Sequence, residues 1–189
     1  LKTPMTTIAG YTDGILDGTI PPENERQYLQ IISNESRRLS RMVRRMLDVS
    51  QLQAMDPLRG GNHFDVCESM RRVLISMEKK INDRHLDVDA DIPEEPILVL
   101  GDTDMITQVI YNLLENAAKF AREGSTLYLG VTTLDGKARV TVRNLGDTIP
   151  AEELPLLFER FHKSVKSRSE DKDGVGLGLY IVKTILEQH

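Results

Sequence analysis

The sequence predicts an α+β chain: an N-terminal helical hairpin that completes a dimeric four-helix bundle, followed by an α/β sandwich with a mixed sheet. Three observations carry this. Leu29, Ile32, Ser36, Leu39, Val43, Met46 and Ser50 recur at spacings of three and four, a heptad seam with serines at two positions. Asp56-Pro57-Leu58-Arg59-Gly60-Gly61-Asn62 is a linker by composition. Beyond it helical and strand patterns follow one another, as they do when helices cover one face of a sheet.

Residues 1 to about 18 read as a helix, with Pro4 in its first turn or kinking a helix that begins further upstream. Gly18-Thr19-Ile20-Pro21-Pro22 breaks it, and a second helix runs from about Glu23 to Met55. One hairpin cannot bury both its faces, so a second copy is the expected partner. Arg37, Arg38, Arg41, Arg44 and Arg45 lie mostly off the seam, either as a solvated basic face or as a dock for an acidic partner. Phe64 to Asp83 holds a short strand entry and then a helix. Leu86 to Ala90 alternates as a strand, and Ile97 to Leu100 reads as a buried strand. Asp102 caps the next helix, which runs to Phe120. Thr126–Thr132 and Ala138–Val142 form a hairpin turning at Asp135-Gly136. Loop and a short helix lead to Phe161, a charged segment covers His162 to Gly174, and a last helix starts at about Leu177.

Composition bounds the function. The 189 residues are 40% hydrophobic, enough for a real core, but 5% aromatic with no Trp, so packing rests on Leu, Ile, Val and Met. A net charge of -5 argues against a nucleic-acid binder. The single Cys67 rules out an internal disulfide, fits a reducing compartment, and reads as a packing residue rather than a nucleophile. No run approaches the ~20 apolar residues that span a bilayer, and no signal peptide is visible. A soluble cytosolic piece is expected, cut from something longer because it opens on Leu1-Lys2-Thr3-Pro4.

Four stretches carry chemistry. In the helix ending at Phe120, Asn112, Asn116 and Lys119 stack along one stripe at i, i+4 and i+7. Asn is a mediocre helix former, so two of them one turn apart point to amides presented to a ligand, against the alternative of a solvated face. Asp173-Gly174-Val175-Gly176-Leu177-Gly178 leads glycines into a helix, letting backbone approach an anion that free N–H groups can bind; the alternative is a flexible hinge. Val142-Arg143-Asn144-Leu145-Gly146-Asp147-Thr148-Ile149-Pro150 is a turn after a strand. Leu157-Phe158-Glu159-Arg160-Phe161 is a short amphipathic piece.

Taken in chain order, with their spacing, the four resemble the N, G1, F and G2 boxes of the sensor histidine kinases, the glycine run standing last. Leu1-Lys2-Thr3-Pro4 resembles the end of that family's H box, His-Glu-Leu-Lys/Arg-Thr-Pro. The resemblance spans essentially the whole chain. It implies a dimerisation and histidine-phosphotransfer hairpin at 1–55, a linker at 56–63 and a catalytic ATP-binding domain of the Bergerat type at 64–189. The implied activity uses Mg-ATP to phosphorylate a histidine and relays the phosphoryl group to an aspartate of a response-regulator receiver domain. The implied setting is a homodimer in the cytoplasm, belonging to a parent protein anchored in the membrane upstream. The phosphoacceptor histidine is expected two residues before Leu1, its glutamate one before, and closing strands after His189.

The resemblance also assigns residues. Asn112 and Asn116 would hold Mg²⁺ through neutral oxygens, directly or through water, and Lys119 would contact the phosphates. Phe120 stands where the family often has Tyr. Related ATPases keep a glutamate, the base that activates water, where this chain has Asn112, which favours transfer to a side chain over hydrolysis. Glu115 receives no catalytic role. Asn144 replaces the aspartate that accepts from the adenine amino group, and Thr148 replaces a glycine, whereas Gly146 and Ile149 match. His162 to Asp173 would be the lid, with Arg160 and Lys163 contacting phosphate or hairpin, or simply exposed. Gly174, Gly176, Leu177 and Gly178 would line the phosphates. Thr3 is associated with positioning water for dephosphorylation of the regulator, against a threonine bonding its own backbone. The departures at Asn144 and Thr148 motivate a runner-up: a non-catalytic dimeric scaffold with a degenerate nucleotide pocket.

Overall fold

A computed structural model describes residues 2–54, 61–163 and 174–189, in two units, Leu1–Ala54 and Met55–His189. Of the sequence expectations, the end of the second helix at Met55, most of the linker and the 164–173 part of the lid lie outside the described residues.

The first unit is the predicted hairpin. Helix α1 (Lys2–Leu16) carries Pro4 in its first turn, where N–H groups have no intrahelical acceptor in any case. The chain reverses at Gly18, whose φ of 75° suits a residue without a Cβ. Ile20 then folds back, its N–H donating to the Gly14 carbonyl at 2.8 Å and its side chain buried against the Gly14 backbone. Helix α2 (Pro22–Ala54) opens on proline with Glu23 and Glu25 in its first turn, both favourable to the positive end of the helix dipole. Tyr11 and Tyr28 meet edge to face at 4.9 Å and join the two helices. The seam residues Leu29, Val43 and Met46 remain exposed on this single chain.

The second unit builds two sheets. Strands β2 (Asp87–Asp91), β4 (Thr126–Leu134) and β5 (Lys137–Arg143) lie in the order β2-β4-β5, with β2 parallel and β5 antiparallel to β4, the mixed sheet expected. Strands β1 (Asn62–Asp65) and β3 (Leu98–Gly101) pair antiparallel by themselves. The β4–β5 turn sits at Asp135-Gly136 as predicted, both residues at positive φ, 50° and 72°, the signature of a two-residue hairpin. Leu127, Leu129 and Val131 of β4 point inward, where helices α3 (Val66–Asn82) and α4 (Thr103–Phe120) cover them with Met70, Val73, Ile110 and Leu114. Cys67 is fully buried in that core and burial pushes its thiol pKa up, so it packs rather than reacts.

One expectation is corrected. Strand β3 is not buried on both faces: Leu98 and Leu100 are exposed, while Phe64 and Val99 pack on the core. A two-stranded sheet with one covered face alternates, and its outward residues stay open.

Both long helices of this unit are capped as their sequences require. Asp102 accepts from the N–H groups of Asp104 and Met105 at 2.9 Å each. Asp65 caps α3 through Cys67 and Glu68 and also accepts from the Ile97 N–H at 3.0 Å, tying helix to sheet. Asp65→Ala therefore loses a cap and strands a partly buried N–H, and chemical denaturation should show a loss of about 2 kcal/mol. A cross-link joins α3 to α4: the Lys80 ammonium donates to Glu115 and, at 2.9 Å, to the Tyr111 hydroxyl. Burial works against the Lys80 charge, but the bonds to Glu115 and Tyr111 outweigh it and hold its pKa above the usual lysine value.

Candidate nucleotide site

Helix α4 is amphipathic in the required sense. Met105, Val109, Ile110, Leu114, Ala117 and Ala118 are buried, which leaves Asn112, Asn116 and Lys119 half-buried on another face. Asn112 is the most informative of the three. Its Nδ2 is buried with no hydrogen-bond partner among the described residues. Its Oδ1 lies 3.7 Å from where a Cβ on Gly178 would stand, so the amide faces the first residue of α5 (Gly178–Gln188). Which amide atom points which way is an assignment, but either way a buried polar group is left unsatisfied. Arg84 and Ser125 also carry such an atom, and what sets Asn112 apart is its position facing Gly178.

The glycine-rich approach to α5 is a tight backbone contact. Gly176 has φ 71°, and a Cβ there would stand 2.6 Å from the His162 carbonyl oxygen and 3.0 Å from the Phe161 carbonyl carbon. The Phe161 N–H donates to the Gly176 carbonyl at 3.0 Å, and Phe161 itself adopts φ 63°, uncommon for a bulky residue. Leu177 and Val175 are buried and anchor the segment, while Gly174 and Gly178 are half-buried. No side chain caps the start of α5 at Leu177, and a helix N-terminus of this kind beside Asn112 suits an anion.

At the far end of α4, Gly146 lies against the Phe120 carbonyl, where a Cβ would come within 2.5 Å, and beside the Asn144 amide nitrogen. The Arg122 N–H donates to the Leu145 carbonyl at 2.7 Å and fixes this turn to the end of the helix. Asn144, Leu145, Gly146 and Ile149 are exposed. Asn112 and Phe120 are eight residues apart, about 12 Å along a helix at ~1.5 Å per residue, which sets the separation of the two groups of predicted residues along α4.

Sequence places Arg160 on phosphate or the hairpin, and the structure gives it another contact. Its Nη2 donates to the Tyr180 hydroxyl at 2.6 Å, and its guanidinium lies 4.6 Å from that ring's centroid. Burial raises the Tyr180 phenol, but hydrogen bonds involving Arg160 and Thr184 outweigh it and leave the pKa below the ordinary value. Nothing local in the sequence singles out Tyr180, because its contact depends on the reversal at Gly176. Lys119 lies 5.6 Å from the Phe120 ring centroid, and Lys163 is half-buried at the edge of the described segment. Thr3 is exposed on α1, and its carbonyl accepts from the Thr7 hydroxyl at 3.1 Å.

Among the described residues no group of three or more His, Cys, Asp or Glu could hold a metal. A hard cation at this site would instead meet the amide oxygens of Asn112 and Asn116, with water and phosphate completing its shell. The unpartnered Asn112 Nδ2 is a donor and suits a phosphate oxygen, while the cation would take the Oδ1 of the same amide. No described helix is long and apolar enough to cross a membrane.

Comparison with known proteins identifies the family. Residues 1–54 match the His Kinase A (phospho-acceptor) domain, and residues 101–189 match the Histidine kinase-, DNA gyrase B-, and HSP90-like ATPase family. Sensor protein SrrB of Staphylococcus aureus (strain MRSA252) is 28% identical over 190 residues, covering 100% of this chain. The chain spans 32% of that protein's length. The mycobacterial sensor histidine kinase MprB structure is 30% identical with a TM-score of 0.57, covering 68% of this chain and 80% of that one. The histidine kinase ThkA, solved in complex with the response regulator protein TrrA, is 26% identical with a TM-score of 0.62, covering 91% of this chain and 52% of that one. With both family models matched and a sensor histidine kinase structure 30% identical over most of its length, this chain belongs to the sensor histidine kinases of two-component systems.

Proposed function

We propose that this chain is the catalytic core of a protein-histidine kinase that uses Mg-ATP to phosphorylate a histidine and passes the phosphoryl group to a receiver-domain aspartate. The observation that carries the reading is the buried, unpartnered Asn112 Nδ2 on an amide that faces Gly178, where no side chain caps α5. Residues 1–55 serve as the dimerisation and phosphotransfer hairpin, 56–63 as linker and 64–189 as the ATP-binding domain.

Phosphoryl transfer asks the protein mainly for position and charge neutralisation. Mg²⁺ bound through Asn112 and Asn116 supplies charge neutralisation on the triphosphate. The α5 N–H groups and Lys119 complete the phosphate contacts, with Gly174, Gly176, Leu177 and Gly178 keeping the backbone close. Asn144, Gly146, Ile149 and Phe120 take the base. Arg160 and Lys163 flank the phosphates from the other side, and the Tyr180 contact sets where Arg160 starts from. Because Asn112 cannot act as a base at neutral pH, water is not activated and the acceptor is a side chain.

The exposed seam at Leu29, Val43 and Met46 supports a homodimer, and the ThkA–TrrA complex supports a receiver-domain partner. Thr3, exposed on α1, is the residue for a regulator-phosphatase activity. The protein acts on the cytoplasmic side of a membrane-anchored parent and on no nucleic acid.

The test uses the full-length protein with labelled ATP. An acid-labile, alkali-stable phosphoprotein is expected, and Asn116→Ala should weaken Mg-ATP binding at least ~10-fold. Folded, dimeric protein that neither binds nucleotide nor becomes labelled would leave the scaffold reading in possession.

A further inference from the structure

On the proposed reading of the nucleotide site, on which this inference rests, Asn144 meets the purine. A carboxylate here would only accept hydrogen bonds, which suits a 6-amino group and repels a 6-oxo group. An amide carries both an acceptor and two donors. In one orientation its oxygen accepts from the adenine N6–H while its NH₂ donates to N1. Turned over, the NH₂ donates to a 6-oxo oxygen while the amide oxygen accepts from N1–H.

An asparagine keeps one orientation when protein groups bond one of its amide atoms. Asn144 has no such bond among the described residues and is exposed. The nearby feature is Gly146, which has no side chain to contact it: a Cβ there would stand 3.0 Å from the Asn144 nitrogen. The backbone around it is fixed, by contrast. The Leu145 carbonyl is bonded to the Arg122 N–H, and the Arg143 guanidinium lies over the Tyr128 ring, 4.0 Å from its centroid. A positioned backbone thus carries an amide that is free to turn.

We propose that the site takes 6-oxopurine as well as 6-aminopurine nucleoside triphosphates, with Asn144 reading either ring edge by turning its amide. A site built to bond one edge alone rejects the other by roughly 10⁴-fold or more, so the effect is large enough to measure.

The experiment is displacement of a fluorescent ATP analogue by ATP and by inosine triphosphate, which carries the 6-oxo group without guanine's 2-amino group. Dissociation constants within ~10-fold of each other are expected for the wild type, because both edges are met by neutral hydrogen bonds of similar worth. Asn144→Asp should widen the ratio in favour of ATP by at least ~10-fold, since a charged acceptor strengthens one pairing and opposes the other. Asn144→Ala should weaken both by similar factors. Inosine triphosphate binding ~100-fold weaker than ATP, an unchanged ratio in Asn144→Asp, or loss of ATP alone in Asn144→Ala would each overturn the proposal. If neither ATP nor the analogue binds at all, the nucleotide site itself is misread, an outcome that the ATP arm separates from the others.

Discussion

Asn112→Ala is expected to lower autophosphorylation of the full-length protein by about 10²–10³-fold, the usual loss when one preorganised electrostatic group is removed, while leaving the fold as stable as before or slightly more so. The two halves of that result have one cause. The Asn112 Nδ2 is buried without a partner among the described residues, and an unmet buried group costs about 1–3 kcal/mol. Removing the amide removes that cost, partly offset by a small cavity. Kinase assay and thermal melting on the same preparations check it. A melting temperature several degrees lower would mean that the amide supports structure, and its role in phosphate or metal binding would have to be withdrawn. Asn112→Asp gives a contrasting outcome: it restores a carboxylate where related ATPases keep a glutamate. Its charge suits a cation but is opposed by burial.

Gly176→Ala should cost nucleotide affinity at least ~30-fold, because the added Cβ meets two separate penalties. The left-handed backbone itself costs roughly 1–2 kcal/mol for a residue with a Cβ. In addition that Cβ would stand 2.6 Å from the His162 carbonyl oxygen, which is backbone and cannot swing aside. Gly136 separates the two. It has nearly the same φ, 72°, but a Cβ there meets nothing within 4 Å. Gly136→Ala should therefore lower stability by the conformational part alone, about 1–2 kcal/mol, with nucleotide titration unchanged. Equal affinities for wild type and Gly176→Ala would show that the glycine turn is not part of the site.

Much of this fold is legible in the sequence because the patterns are local. The heptad of α2, the apolar stripe of α4, the Asp102 cap and the Asp135-Gly136 turn all follow from spacings within a few residues. The exception is β3, where four apolar residues in a row read as burial on two sides. Whether Leu98 and Leu100 are covered depends on what packs over β1–β3, which no local pattern encodes. The site divides in the same way. Asn112 and Gly178 can be named separately, yet their approach depends on how α5 docks against α4. Arg160 is visible as a charge, but Tyr180 as its partner is not, since a stacked guanidinium twenty residues away follows from the reversal at Gly176.

The Lys80–Tyr111–Glu115 cross-link has a rotational consequence. Tyr111 and Glu115 each precede an asparagine of the site, Asn112 and Asn116, by one residue, which is roughly 100° around the helix axis at 3.6 residues per turn. One edge of α4 is thus held by α3 while the next edge carries the asparagines. Any turn of α4 that re-aims the asparagines must pull Tyr111 and Glu115 from the lysine. With its pKa raised, the lysine holds this angle through neutral pH and lets it go on the alkaline side, as pH climbs past that raised value and the ammonium is lost. The helix is an indexed shaft, and α3 is its key.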